Sequence, residues 1–297
     1  MSELNTPFFS VIIPLYNKDS EIINTINSVL NQTFSDFELI IVNDGSTDNS
    51  LRAIGTIIDP RLIIITKKNG GVSSARNLGI LNSCGRNIAL LDGDDIWLPE
   101  YLQEIKLLID KFPECRIFCT DYVVSSAKYE NQNQQPTIHS CENDYFKLAM
   151  YVPFLTASSI VIKRDCFNKE MFFNESLSHG EDLDLWIRLV KKYQGIGYSN
   201  RQLVYYNHSA NRRASRRIPQ LQNHFVNFVQ LDLIANSTEK QYYINQISLL
   251  CWLYFKNLKV KYISTIFNHN KKYTFSIVLQ MLNNIVFNPY KKLIKNK

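Results

Sequence analysis

Short apolar runs rich in β-branched residues alternate with helical segments over the first hundred residues. The runs cover residues 9–14, 37–42, 62–66 and 88–91, and the helical segments cover residues 22–30, 48–58 and 73–81. Apolar runs of this length are typical of strands buried on both faces, and strands that alternate with helices form parallel sheets. We therefore predict an α/β domain with a mostly parallel sheet flanked by helices.

The composition is that of a folded chain, with a basic end. Of the 297 residues, 45% are hydrophobic and 20% are charged, which argues against disorder. The net charge is +6, yet the segment from residue 240 onward holds ten lysines and no acid, so residues 1–239 carry −4. Only helical periodicity remains beyond residue 218. We predict an α/β domain over residues 1–215 and a helical, Lys-rich extension over residues 216–297.

Cysteine usage and hydropathy point to the cytoplasm. The six cysteines form no C-x-x-C pair and no zinc pattern, so we expect buried, reduced thiols. No basic segment precedes an apolar stretch at the N-terminus, which argues against a signal peptide. The longest mostly apolar run, residues 247–255, is far shorter than the roughly 20 residues of a membrane-spanning helix. We therefore expect a cytoplasmic protein without a transmembrane segment.

Polar residues follow each predicted strand. They are Tyr16-Asn17, Asn43-Asp44-Gly45-Ser46, Asn69-Gly70-Gly71 and Asp92-Gly93-Asp94-Asp95. Ligands of open parallel sheets bind beyond the carboxyl ends of the strands, so these segments predict one shared site. No G-x-G-x-x-G follows the first strand and no P-loop motif occurs, which argues against a dinucleotide fold and a P-loop NTPase.

Asp92 and Asp94 could share one divalent cation. Two carboxylates two positions apart at a strand end can face the same side and supply hard oxygen ligands. A nucleotide diphosphate would supply further oxygens, and the cation would neutralise the charge of the leaving group. The alternative is a polar turn in which an aspartate caps the next helix.

Four further residues suit a nucleotide at the same edge. Asp44 could accept a hydrogen bond from a base or ribose, and Tyr16 offers a stacking face beside the polar tip of Asn17. Arg76 lies in the first turns of a helix that leaves this edge, where it could reach phosphate or base. The alternative for Arg76 is a solvated helix position.

Five motifs follow one another in the first hundred residues. They are Phe9-Ser10-Val11-Ile12-Ile13-Pro14-Leu15-Tyr16-Asn17, Ser28-Val29-Leu30-Asn31-Gln32-Thr33-Phe34, Val42-Asn43-Asp44-Gly45-Ser46-Thr47-Asp48, Ala75-Arg76-Asn77-Leu78-Gly79 and Leu91-Asp92-Gly93-Asp94-Asp95. Together they resemble family 2 of the inverting nucleotide-sugar glycosyltransferases. The resemblance is dense over residues 8–100, thinner to about residue 210 and absent beyond. It implies a GT-A fold, a nucleotide-diphosphate sugar donor such as a UDP-sugar, and Mg²⁺ or Mn²⁺.

The resemblance also implies roles for individual residues. The residues that bind the nucleotide sugar would be Pro14, Tyr16, Asn17, Asp44, Arg76 and Asp92. The metal ligands would be Asp94 and Asp92, with His208 as a further position near the diphosphate.

A Glu-Asp pair that opens a helix matches the position of the family's catalytic base. Inversion requires a carboxylate that takes the proton of the acceptor hydroxyl, and we assign this role to Asp182. Glu181 and Asp184 are possible substitutes. Alternatively, Glu181 and Asp182 only complement the helix dipole.

Two departures from the family pattern refine the predicted function. Asn43 stands where the family often has Asp, which leaves the nucleotide preference open. The Gln-x-x-Arg-Trp motif of processive synthases is missing, so we expect transfer of one sugar to a glycan or lipid-linked glycan in surface polysaccharide synthesis.

Three rival functions are weighed against this one. A sugar-phosphate nucleotidylyltransferase would need a Gly-rich loop after the first strand, and the chain has Leu15-Tyr16-Asn17 there. A catalytically inactive GT-A module at the membrane is the main alternative. The basic segment Arg212-Arg213-Ala214-Ser215-Arg216-Arg217 could suggest nucleic acid, but no recognition motif accompanies it. We expect no nucleic-acid partner.

The last helical segment predicts a membrane contact. Apolar residues recur at helical spacing beside Ser276, Gln280, Asn283 and Asn284; they are Phe275, Ile277, Val278, Met281, Leu282, Ile285 and Val286. Lysines flank the segment on both sides. A basic amphipathic helix of this kind can lie on the anionic inner face of the cell membrane. The alternative is that the stripe packs on the α/β domain and the lysines are solvated.

Overall fold

The computed structural model describes residues 6–124, 136–150, 153–168, 170–207 and 218–287. These residues form two compact units. The first unit comprises the described parts of Met1–Asn143, Leu155–Glu175 and Asp184–Arg212, and the second comprises those of Asp144–Phe154, Ser176–Leu183 and Arg213–Lys297.

Strands and helices alternate along the first unit. In chain order they are β1 (Phe9–Leu15), α1 (Ile22–Leu30), β2 (Phe37–Asn43), α2 (Ser50–Ile54), β3 (Leu62–Thr66), α3 (Val72–Asn82), β4 (Asn87–Leu90), β5 (Ile96–Trp97), α4 (Tyr101–Lys111) and β6 (Ile117–Val124). The remaining elements of the chain are β7 (His139–Glu142), α5 (Tyr145–Leu148), β8 (Ile160–Lys163), α6 (Glu181–Lys192), β9 (Ile196–Tyr206), α7 (Ser237–Lys256), α8 (Val260–His269) and α9 (Thr274–Phe287). The predicted elements of the first hundred residues are all present, although α2 is shorter than the predicted 48–58.

The strands form one sheet in the order β3-β2-β1-β4-β8-β6-β9-β5, with β7 beside β9. The first four strands of this order are parallel to one another. Strand β8 pairs antiparallel with both β4 and β6, and β9 is parallel to β6 but antiparallel to β5 and β7. The predicted α/β class is confirmed, and the strand direction changes at β8.

Helices cover both faces of the parallel part of the sheet. One core cluster joins α1 and α4 to the strand side chains on one face, and a second joins Ala75 of α3 to Ile40 and Val42 on the other face. Helix α3 lies close to the strands because Gly79 has no side chain, and a Cβ there would collide with Ile12. This close packing brings α3, and with it Arg76, near the strands.

Backbone hydrogen bonds continue beyond the ends of the parallel strands. Asp44 N donates to Leu15 O at 2.8 Å, and Lys67 N donates to Asn43 O at 3.0 Å. The loops that follow β1, β2 and β3 are therefore held side by side at the carboxyl edge of the sheet, as the strand order requires.

Helices α7, α8 and α9 belong to the second unit, where α9 packs along α7. Asn284 of α9 donates hydrogen bonds to Asn245 Oδ1 at 3.0 Å and Ser248 Oγ at 2.9 Å, and all three side chains are buried. Ile277 is also buried, whereas Phe275 and Leu282 are exposed. The predicted helix is present, but its predicted faces are wrong in part, because the amide and hydroxyl groups satisfy one another inside the helix pair. The side chains of Ile285 and Val286 and the lysines from 291 onward lie outside the described residues.

All six cysteines are free thiols, and four of them are buried. Cys84 is exposed and Cys141 is half-buried, so the expectation of uniformly buried thiols is wrong for these two. Cys141 Sγ lies 3.4 Å from Cys115 Sγ, and both sulfur atoms lie beside Gly195, where a Cβ would collide with them. Within the described residues, no helix combines the length and the apolar character needed to cross a membrane.

Candidate active site

A tight turn between β4 and β5 carries the predicted aspartate pair. Asp95 N donates to Asp92 O at 3.0 Å, which closes the turn. Ser158 holds the turn by two hydrogen bonds. Its hydroxyl donates to Asp95 Oδ2 at 2.6 Å and accepts a hydrogen bond from Asp92 N at 3.1 Å. Asp95 and Ser158 are fully buried, so the backbone that presents Asp92 and Asp94 is held rigidly.

Arg76 pairs with the first of these aspartates. Its Nη2 donates to Asp92 Oδ1 at 2.6 Å. The guanidinium also lies 5.1 Å from the ring centroid of Phe173, in the geometry of a cation–π contact. Arg76 is buried, so its interpretation as a solvated helix position is wrong. The structure brings Arg76 and Asp92 together.

Lys18 pairs with the second aspartate. Its Nζ lies 2.6 Å from Asp94 Oδ2, with 14% of the lysine side chain and 4% of the aspartate side chain exposed. Sequence reasoning missed this residue. Lys18 directly follows the Tyr16-Asn17 segment at the end of β1, and it meets Asp94 because β1 lies beside β4 in the sheet.

Asp44 accepts three hydrogen bonds at this edge of the sheet. Oδ1 accepts from Gly70 N at 2.9 Å and from Lys67 Nζ at 2.7 Å, and Oδ2 accepts from Gly71 N at 2.8 Å. These bonds hold the loop that enters α3. A carboxylate has about four lone-pair positions, so Asp44 retains capacity for one more donor, such as a nucleobase N–H. Lys67 was not identified from the sequence.

In the segment at the end of β1, Asn17 connects two loops and Tyr16 is exposed. Asn17 has a positive φ of 54°, and its Oδ1 accepts from Thr47 N at 2.8 Å, so it ties the first loop to the second. Tyr16 is 44% exposed and presents an open ring face at the same edge. Pro14 lies within β1, paired with Val42, and its carbonyl oxygen would lie 3.2 Å from a Cβ at Gly93. Of these three residues, Tyr16 has the exposed ring, and its stacking on a base stays a prediction.

The aspartate turn has the donor chemistry of a divalent cation site. Asp92 and Asp94 offer hard oxygen ligands, the kind that Mg²⁺ and Mn²⁺ prefer. Each carboxylate is already paired with a cationic side chain at 2.6 Å, so these side chains neutralise the carboxylates as long as no metal ion is bound. The residues fit a divalent cation that takes its other oxygen ligands from a diphosphate.

The predicted base lies in the second unit, at the start of α6. Gly180 precedes the helix with φ of +73°, and a Cβ at this position would collide with the ring of Phe225. Asp182 Oδ1 accepts from Leu183 N at 2.8 Å. Burial raises the pKa of Tyr242 well above its ordinary value, and the carboxylate of Asp182 adds to the effect. Asp182 therefore lies within electrostatic range of a buried tyrosine.

The two substitutes for Asp182 differ in their surroundings. Asp184 Oδ2 accepts from Arg188 Nη2 at 2.7 Å, one turn along α6, and Arg188 Nη2 also donates to Phe172 O at 2.8 Å. This carboxylate is committed to an ion pair. Glu181 begins the helix. His208 and the arginines at 212, 213, 216 and 217 lie outside the described residues.

Comparison with known proteins gives a consistent family. The model of "Glycosyl transferase family 2" matches residues 10–170, which is more than half of the chain. An uncharacterized glycosyltransferase of Rickettsia felis is 35% identical over 201 residues, which is 65% of this chain and 32% of the relative. The chondroitin synthase of Pasteurella multocida is 31% identical over 231 residues, which is 74% of this chain and 23% of the synthase. The chain thus spans a third or less of the length of these two relatives.

A solved structure shares the fold. The crystal structure of S. aureus TarS 1-349 in complex with UDP-GlcNAc superposes with a TM-score of 0.65 and 19% sequence identity, over 84% of this chain and 72% of that one. At this identity the likeness concerns the fold, and it agrees with the predicted GT-A class. On the match of the family model, this chain belongs to glycosyl transferase family 2.

Proposed function

We propose that the protein transfers one sugar from a nucleotide-diphosphate sugar to a hydroxyl of a glycan or lipid-linked glycan, with inversion at the anomeric carbon. The observation that carries the proposal is the buried turn in which Asp92 and Asp94 are paired with Arg76 and Lys18. Alternating charges of this kind suit a divalent cation and a diphosphate together.

The first unit would hold the donor. Tyr16 would stack on the base, Asp44 would accept a hydrogen bond from it, and Arg76 would hold the nucleotide. A divalent cation on Asp94 and Asp92 would neutralise the negative charge of the leaving diphosphate.

Asp182 would act as the general base. Its carboxylate would take the proton of the acceptor hydroxyl while that oxygen attacks the anomeric carbon. Glu181 is the first substitute, and Asp184 is less suited because Arg188 holds its carboxylate.

The names of relatives support the substrate classes. One relative is a chondroitin synthase, and the TarS structure contains UDP-GlcNAc. We therefore propose a UDP-sugar as donor and a surface polysaccharide as the product to which the acceptor belongs.

A screen of nucleotide sugars with the purified protein tests the proposal. We expect release of nucleoside diphosphate from one donor, an increase on addition of an acceptor glycan, and loss of activity in excess EDTA. Full activity in EDTA would exclude the metal. Absence of release from every donor, with retained nucleotide binding, would favour the alternative of an inactive GT-A module.

We also propose that the second unit contacts the inner face of the cell membrane. Phe275, Leu279 and Leu282 expose apolar surface on α9, and no acidic residue occurs from residue 240 onward. Each lysine near an anionic surface contributes about 1 kcal/mol.

Point variants test this contact better than truncation, because α9 buries Asn284 against α7. We expect Phe275→Ser with Leu282→Ser to weaken salt-sensitive co-sedimentation with anionic vesicles. Equal binding of wild type and variant would contradict the contact.

A further inference from the structure

Lys18 forms a short ion pair with Asp94, which is one of the two proposed metal ligands. Its ammonium group lies 2.6 Å from Asp94 Oδ2, and both side chains are largely shielded from water. An ion pair this short gives Asp94 a cationic partner that belongs to the protein itself. Any divalent cation that binds the same carboxylate has to compete with it.

The backbone of Lys18 is fixed, so only the side chain can respond. Lys18 N donates to Ser50 Oγ at 2.8 Å, and Lys18 O accepts from Ile22 N at 2.9 Å at the start of α1. The preceding Asn17 is held in the left-handed region by its bonds to the second loop.

The lysine stem reaches the aspartate turn beside a glycine. A Cβ at Gly93 would lie 3.7 Å from Lys18 Cγ, in ordinary contact, so the stem runs along the turn that carries both aspartates. Four rotatable bonds let the ammonium move by several ångströms while this stem stays in place.

Two cations cannot share Asp94 without a large electrostatic cost. At a few ångströms in a partly buried site two like charges repel each other strongly, and the double charge of a divalent ion doubles this repulsion. The ammonium group has to leave Asp94 when the cation arrives. A diphosphate bound to that cation offers the nearest compensating negative charge.

We propose that Lys18 is a positioning residue that neutralises Asp94 before the donor binds and moves to a diphosphate oxygen when the cation takes its place. The inference rests on the proposed function, because it assumes a cation–diphosphate ligand at this turn. The consequence is that the binding of cation and nucleotide is coupled. The cation binds weakly by itself, and each of the two ligands raises the affinity of the protein for the other.

Mn²⁺ binding without nucleotide tests the first half of the proposal. Free Mn²⁺ is measured by electron paramagnetic resonance with the full chain as wild type, Lys18→Met and Lys67→Met. We expect Lys18→Met to bind Mn²⁺ at least about ten-fold more tightly, because a cationic competitor is removed. Lys67→Met is the matched control, since it removes the same charge from a lysine–carboxylate pair of 2.7 Å at Asp44, and its Mn²⁺ affinity should stay within about two-fold of wild type.

Nucleotide binding tests the second half. With saturating Mg²⁺, Lys18→Met should bind UDP about ten-fold more weakly than wild type, because the ammonium no longer reaches the diphosphate. Equal Mn²⁺ affinities of wild type and Lys18→Met, or no Mn²⁺ binding to either, would overturn the proposal. Tighter Mn²⁺ with unchanged UDP affinity would overturn the transfer of the ammonium group.

A second variant serves as a control for loss of stability. If Lys18→Met is unstable because Asp94 is left without its cation, the rise in melting temperature on adding Mn²⁺ is compared with that of Lys18→Arg. We expect a larger rise for Lys18→Met, and equal rises would contradict the competition. Because these readouts need no sugar turnover, they stand apart from the proposed activity. A protein with no transferase activity but with tighter Mn²⁺ binding in Lys18→Met would refute the activity and keep the competition.

Discussion

Arg76 Nη2 donates to Asp92 Oδ1 at 2.6 Å, from a side chain that is itself buried against Phe173. A helix residue and a turn residue 16 positions apart are thereby joined at the carboxyl edge of the sheet. The pair needs both the planar donor of a guanidinium and a short distance between α3 and the turn after β4.

The first prediction concerns this pair. Arg76→Lys keeps the charge but loses the flat contact with Phe173 and the fixed donor geometry. We expect UDP to bind about ten- to hundred-fold more weakly, as the loss of a hydrogen bond to a charged group implies. Isothermal titration calorimetry measures the affinity, and circular dichroism checks that the fold is retained. Unchanged affinity would remove Arg76 from the nucleotide site.

The second prediction concerns Ser158, whose hydroxyl joins Asp95 to the backbone of Asp92. Ser158→Ala leaves a buried carboxylate with one donor fewer, so we expect the free energy of unfolding to fall by about 1–3 kcal/mol. UDP affinity should fall as well, because the aspartate turn loosens.

Ser159→Ala is the matched control for Ser158→Ala. Ser159 is equally buried, but its hydroxyl exchanges hydrogen bonds with Thr156 alone among the bonds that the structure shows. It should lose stability and keep UDP affinity. Equal UDP affinities of the two variants would show that Ser158 does not hold the site.

The sequence predicted the strands and the residues at their ends, because buried parallel strands leave an apolar pattern and their loops leave a polar one. It did not predict Lys18 or Lys67. Each lysine is identified by the carboxylate it meets, and this depends on β1 lying beside β4 and β3 beside β2. The order of strands in a sheet cannot be predicted from the local periodicity of the sequence.

Two other features were not predicted from the sequence, for different reasons. Strand β5 has only two residues and exists because it pairs with Val204 and Tyr205 of β9. The buried face of α9 contains Asn284, which periodicity assigns to solvent. Its partners Asn245 and Ser248 lie on another helix, so a buried polar group could be recognised only once the two helices were placed together.

The third prediction separates the carboxylates at the start of α6. Asp182→Asn should lower transfer to an acceptor by about 10² to 10⁴ while UDP affinity is kept, because a general base acts on the acceptor. Asp184→Asn is the control, and it should mainly lower stability through the loss of its pair with Arg188. Transfer at the wild-type rate by Asp182→Asn, together with loss in Glu181→Gln, would move the base to Glu181.

The fourth prediction concerns the stability of the second unit in acid. His224 stacks on Phe225 with ring centroids 5.2 Å apart, and Phe225 packs against Gly180, directly before α6. Burial, with a further contribution from His179, lowers the pKa of His224 from 6.5 to about 4. The folded chain therefore keeps this imidazole neutral at pH values where the unfolded chain protonates it.

The direction in which pH changes the free energy of unfolding follows from proton linkage. Between pH 6.5 and 4 the unfolded state binds the additional proton, so the free energy of unfolding decreases as the pH falls through this window and is level below it. We expect His224 to contribute a decrease of about 1.5 kcal/mol between pH 6.5 and 5, because the slope approaches its full 1.36 kcal/mol per pH unit only well below pH 6.5. Urea unfolding at several pH values measures it. The decrease should be smaller by that amount in His224→Gln and unchanged in the control His269→Gln, because His269 is exposed. Identical pH profiles of wild type and His224→Gln would show that the imidazole is solvated in the folded protein.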